Sequence, residues 1–168
     1  VLPLRPLPML ESLVLNDNSI ERATVPDEDG ATAFPKLASL QLAGTSVSSW
    51  SDLDPLDDVP SLRSLRLRNT PLTSSLGVGE VRSTAVARLP KLEFFNASPV
   101  SERERTEAER RYVSNVAREL LMASSCAAPS ASDGRSDDET NADDDESAKR
   151  GRILARHPRF RSLMEKHG

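Results

Sequence analysis

The chain has 168 residues, room for one domain with a real core plus tails, and 22 Lys or Arg against 26 Asp or Glu leave a net charge of −4. With 37% apolar but only 4% aromatic residues, any core is aliphatic, which favours layered, repetitive packing over a pocketed enzyme. A single cysteine, Cys126, excludes an internal disulfide framework and a multi-cysteine metal site; no run approaches the roughly 20 apolar residues of a membrane span.

The start, VLPLRPLPML, lacks the basic opening and small-residue cleavage pattern of a signal peptide, so a reducing, cytosolic setting is expected. It begins without Met and in mid-pattern, and the chain reads as a fragment. Four stretches then share one phrase: LPMLESLVLNDNSI (7–20), FPKLASLQLAGTSV (34–47), VPSLRSLRLRNTPL (59–72) and LPKLEFFNASPV (89–100). Each opens apolar-Pro-x-Leu and runs toward L-x-x-L-x-L-x-x-(N/T)-x-(I/V/L). The leading Leu10, Leu37, Leu62 and Leu92 are 27, 25 and 30 residues apart, the spelling and period of a leucine-rich repeat.

The physics fits the spelling. Leu13 and Leu15, Leu40 and Leu42, and Leu65 and Leu67 are two apart, so on short strands each pair faces one way. Stacked copies give a parallel sheet and a continuous leucine core. The expected class is therefore α/β: a leucine-rich-repeat solenoid with strands on the concave face and helices or loops on the convex one. Asn18, Thr45 and Thr70 sit where the chain leaves each strand and are expected to bond backbone groups of the neighbouring turn. Outward strand positions, among them Gln41, Arg66, Arg68 and Phe94, are the candidate binding surface, because Arg and aromatic residues anchor protein interfaces. As solvated side chains they need no such role.

Between strands, 21–33 is polar and reads as a loop. Trp50, Leu53, Leu56 and Val59 recur every three residues, one face of a short helix, and their phase puts Trp50 in the convex-side core. Val81, Ala85, Val86 and Leu89 make a second such face. In the fourth copy Leu92 and Phe95 keep the inward positions, but Ala97 replaces the next leucine. Ser101 with Glu104 three residues on spells a capping box, and Ala108, Tyr112, Val116 and Leu120 recur every four residues. Such a helix is a lid for the last repeat, whose face would otherwise meet water. The expected layout is repeats over 1–98, a capping helix over 99–123, a disordered acidic linker over 124–148 and a short helical segment over 149–168.

That tail is sharply polarised. Residues 133–146 hold eight acids and one Arg, whereas 147–168 hold seven Lys or Arg and one Glu. A basic stretch beside an acidic one is poor evidence for nucleic acid, since its neighbour neutralises it locally. Pro158 should separate two helical turns, with His157 capping the first. His157 and His167 lack carboxylate or thiol neighbours at ligand spacing, so no metal is expected. Gly77-Val78-Gly79 is too short for a phosphate loop, and no nucleophile-base pair is spelled, so no catalytic residue, cofactor or small-molecule substrate is expected.

Three features together resemble one family: S-W-x-D-L-x-x-L at 49–56, the cap at 89–112, and H-P-R-F-x-x-L-x-x-K-H-G at 157–168. The family is that of tubulin-specific chaperone E, or tubulin-folding cofactor E. The resemblance covers most of the chain apart from 125–148, and the acid run 133–146 departs from the family pattern. It implies a cytoplasmic, cytoskeleton-associated, non-enzymatic protein that binds α-tubulin and, with other tubulin-folding cofactors, assembles or dissociates the α/β-tubulin heterodimer. It also implies a ubiquitin-like domain beginning near Gly168, with no nucleic acid or membrane as partner. A second reading is a leucine-rich-repeat regulatory subunit such as the protein phosphatase 1 regulators, which end in a similar cap; the late His-Pro-Arg-Phe favours the first.

Overall fold

The computed structural model describes residues 7–23, 34–125 and 141–167. They fall into two compact units meeting in sequence at Glu109 and Arg110. In the first, β1 (Ser12–Val14), β2 (Ser39–Gln41), β3 (Ser64–Arg66) and β4 (Phe94–Phe95) pair in chain order, all parallel. The register stacks Leu13, Leu40, Leu65 and Phe95 on one rung, so one repeat's core residue lies beside the next repeat's. Leu37, Leu40, Leu42, Leu62, Leu65, Leu67, Leu92 and Phe95 are buried in one cluster, with Leu10, Leu13 and Leu15 half-buried against it.

Pairing continues past each strand. Asp17 N–H donates to Ala43 at 2.8 Å, and Gly44 N–H to Arg68 at 2.8 Å. The chain then turns through a left-handed residue at the same repeat position, Asp17 (φ 57°), Gly44 (φ 68°) and Asn69 (φ 53°). Asp and Asn tolerate that region through local hydrogen bonding. At the middle copy glycine takes the left-handed position without strain, and a Cβ on Gly44 would stand 2.1 Å from Asp17 Oδ1, so that carboxylate would have to move. Asn18 and Thr45 donate to Leu15 and Leu42 carbonyls at 3.1 and 2.9 Å, and Thr70 accepts from Thr73 N–H at 3.2 Å. Each thus serves its own turn rather than the neighbouring one, since a side chain reaches the carbonyl three residues back without crossing a repeat.

The convex returns follow the periodicities. Two 3₁₀ turns, Trp50–Asp52 and Asp54–Asp58, bury Leu53, Leu56 and Val59, with Trp50 half-buried against the core. α1 (Pro71–Ser75) starts from Thr70, and α2 (Val78–Arg88) buries Val81, Ala85 and Val86. Of the 21–33 loop, residues 24–33 lie outside the described ones.

The array ends by reversing. Asn96 (φ 52°) and Ala97 (φ 67°) both take positive φ, as a two-residue type I′ hairpin requires, and β5 (Ser98–Pro99) returns antiparallel to β4. The sequence pattern gave no sign of this strand. Asn96 replaces the missing continuation of the ladder: its amide accepts from Leu67 N–H at 2.8 Å and donates to Leu67 C=O at 3.1 Å. Pro99 has no N–H to offer a further strand, and its carbonyl accepts from Arg82 at 2.8 Å.

α3 (Glu102–Ser125) follows and runs from the first unit into the second. Ser101 Oγ accepts from Glu104 N–H at 3.2 Å, and the Glu104 carboxylate, engaged chiefly by Arg82, is also held by the Ser101 backbone N–H. In the second unit, α4 (Asn141–Arg156) and α5 (Phe160–His167) flank the His157-Pro158-Arg159 step. The helix starting at Asn141 takes up the last eight residues of the 124–148 stretch read as linker. Along it the sequence runs from acidic to basic, the order the helix dipole favours. Residues 126–140 of that stretch, Cys126 included, lie outside the described ones.

Candidate binding surface

Period-two alternation turns the leucines inward and leaves the intervening residues on the other face of the sheet. Ser12, Ser39, Ser64 and Phe94 form one rung, and Val14, Gln41 and Arg66 the next. Arg68 follows one pleat on. Arg66 and Arg68 are exposed and Gln41 is half-buried. Phe94 is 44% exposed and Val14 56%. Arg66 Nη1 reaches Gln41 Oε1 at 3.5 Å, a loose contact that leaves its charge available, and Arg68 Nη2 donates to the Asn96 carbonyl at 3.2 Å. Two cations beside an exposed ring, on backbone fixed by three strand ladders, suit a partner surface that offers carboxylates next to an apolar group.

The ring's position rests on a cluster that sequence reasoning missed. Arg82, from α2, donates to Phe95 C=O at 3.0 Å, to Pro99 C=O at 2.8 Å and to Glu104 Oε2 at 3.0 Å. One guanidinium thus clamps the hairpin carrying Phe94 to the start of α3. Its hydrogen bond to Glu104 holds that carboxyl below its ordinary range and raises the guanidinium's own value. Arg105 donates to the carbonyls of Val86 and Leu89 at 3.2 and 3.4 Å and also to that of Leu92, covering the end of α2 with a cation where the helix dipole is negative. Behind them the buried Arg88 meets Asp54 at 3.4 Å; burial raises the Asp54 carboxyl despite that cation. No spacing rule links residues 13 to 34 positions apart, so only the fold reveals these partners.

The cap residues divide between the units. Ala108 is buried in the first; Tyr112 and Val116 are buried and Leu120 half-buried in the second. There the Tyr112 hydroxyl lies 3.0 Å from His157 Nδ1, with the rings edge to face at a centroid distance of 5.4 Å. His157 Nε2 lies 3.2 Å from Glu119 Oε2, whose other oxygen accepts from Arg156 at 2.7 Å. His157 therefore ties α4 and α5 to α3 by its side chain, where the sequence suggested a helix cap. Among the described residues of this unit, Ile153, Phe160 and Leu163 are also buried. Among the described residues no group of three or more His, Cys, Asp or Glu is placed to hold a metal ion. No described helix is long and apolar enough to cross a membrane.

A leucine-rich-repeat family model matches residues 2–124. Tubulin-folding cofactor E of Arabidopsis thaliana is 32% identical over 174 aligned residues, covering all of this chain and 28% of that protein. Tubulin-specific chaperone E of Homo sapiens is 30% identical over 166, covering 96% and 29%. The human tubulin-specific chaperone cofactor E-like protein is 36% identical, but only over 63% of this chain and 25% of its own length. The chain thus spans less than a third of these curated relatives. Among solved structures, a chain of the Drosophila melanogaster SNF/U2A′ complex superposes with a TM-score of 0.59 at 27% identity, covering 71% of this chain and 65% of that one. The sheet, the repeat spelling and these matches agree: the chain belongs to the leucine-rich-repeat family, and relatives similar to it over nearly all of its length include tubulin-folding cofactors E.

Proposed function

We propose that the chain is the protein-binding module of a tubulin-folding chaperone, acting in the cytoplasm in association with the cytoskeleton. It binds α-tubulin and, with other tubulin-folding cofactors, helps assemble or dissociate the α/β-tubulin heterodimer. Binding, with no catalytic residue of its own, is the whole of its chemistry. The observation that carries this reading is the match to tubulin-folding cofactor E over the entire chain, repeats and tail together. The concave residues Gln41, Arg66, Arg68 and Phe94 supply the surface, with the arginines taking acidic side chains of tubulin and the ring an apolar neighbour. Immobilised chain should retain α-tubulin, and Arg66→Glu with Arg68→Glu should weaken retention at least tenfold with an unchanged melting curve. Equal retention by parent and variant removes the arginines from the site; no retention of tubulin by either overturns the tubulin reading.

A further inference from the structure

The concave face of the repeats is graded in the direction that crosses its strands. Val14, Gln41 and Arg66 stand side by side on β1, β2 and β3. Arg68 lies one pleat further along β3, and Phe94 on β4 ends the neighbouring rung, which is serine on the first three strands. An exposed aliphatic side chain, an amide, two exposed cations and an exposed ring thus follow one another across the sheet. Among the described residues both arginines contact only neutral oxygens, those of Gln41 and Asn96. The short serine side chains keep the floor low beside the graded rung, so a partner's backbone can come close. Neighbouring strands lie about 4.8 Å apart, and one turn of α-helix advances about 5.4 Å, so a helix laid across the strands offers one facing residue per strand. An extended segment repeats its facing side chains every ~6.6 Å and is out of step by the third strand.

We propose that the element received on this face is an amphipathic helix of the partner, crossing the strands with one turn to each. Its facing positions are apolar at i, polar at i+4, acidic at i+7 and i+8, and apolar at i+11. The apolar ends meet Val14 and Phe94, and the two carboxylates meet Arg66 and Arg68, so charge and apolar surface select the same occupant. The helix needs the concave face to be the binding surface proposed above, but it needs no particular protein to carry it.

Fluorescence polarisation with the whole chain tests this, using a labelled alanine-based helical peptide with Leu at i and i+11, Gln at i+4 and Glu at i+7 and i+8. One control peptide moves the two Glu to i+5 and i+9, on the far side of the helix; another places Pro at i+6 and breaks it. The parent should bind the ordered peptide at least tenfold more tightly than either. Arg66→Glu with Arg68→Glu should weaken that binding at least tenfold, and a peptide with Lys at i+7 and i+8 should bind this variant at least tenfold more tightly than it binds the parent. Val14→Ser and Phe94→Ser, each at an unchanged melting temperature, should weaken binding of the ordered peptide at least fivefold. Equal affinity for the Pro peptide assigns the face to an extended segment and overturns the proposal. Parent-like binding by both Val14→Ser and Phe94→Ser overturns it too, as does failure of the Lys peptide to recover the charge-reversed variant. Immobilised chain is challenged with α-tubulin in parallel. Tubulin retained without binding of the ordered peptide removes the helix and keeps the tubulin reading, whereas ordered-peptide binding without tubulin retention removes the tubulin reading and keeps the helix.

Discussion

Replacing Arg82 with Met keeps the aliphatic stem but removes three contacts at once, those to Phe95, Pro99 and Glu104. A hydrogen bond with a charged partner contributes about 1.5–3 kcal/mol, less where water can reach the groups left behind. The Arg82 and Glu104 side chains are 23% and 32% exposed, so partial rehydration is available and the sum is well below three full bonds. A loss of about 3 kcal/mol follows, which for a domain of this size lowers Tm by roughly 10 °C. The pH dependence gives an independent check. The hydrogen bond to Arg82 holds Glu104 below its ordinary 4.5, so its contribution is complete above pH 4.5 and is lost as pH falls through the lower folded value. Stability of the parent should therefore fall on acidification below 4.5, and Arg82→Met should flatten that limb. Calorimetric melting at a series of pH values from neutral to acid reads both. A variant with the parent's Tm and the parent's acid limb would refute the role given to this guanidinium.

The remaining tests are local. Gly44→Ala combines positive φ with a clash against Asp17 and should cost about 2–3 kcal/mol by denaturant titration; adding Asp17→Gly should recover part of it by removing the clash alone. Leu65→Ala, at the centre of the leucine rung, should cost about 3–4 kcal/mol on the same assay. Tyr112→Phe removes one partner of His157 and should cost about 1 kcal/mol, with hydrogen exchange accelerated in α4 and α5.

Three repeat copies were legible because their signal is local: Leu40 and Leu42 two apart in one phrase already fix a strand face. The candidate surface was legible by subtraction, since Arg66, Arg68 and Phe94 occupy positions the core does not use. The fourth copy was half legible. Ala97 marked the loss of an inward leucine, but the reversal at Asn96 and Ala97 depends on two left-handed residues that no residue type there demands; one of them is an alanine.

The architecture follows from local spacing: leucines two apart set the strands, three-residue spacing sets the 3₁₀ return at 50–59, helical spacing sets α2, and four-residue spacing sets the buried side of α3. These are properties of one chain segment and its own period. What closes the array and what α3 meets emerge once the elements pack. Arg82 takes Glu104 from 22 positions away, and Tyr112 takes His157 from 45. Such partners are chosen by which elements the fold brings alongside, and a guanidinium or imidazole can satisfy many carbonyls and carboxylates equally well until packing leaves it a single set.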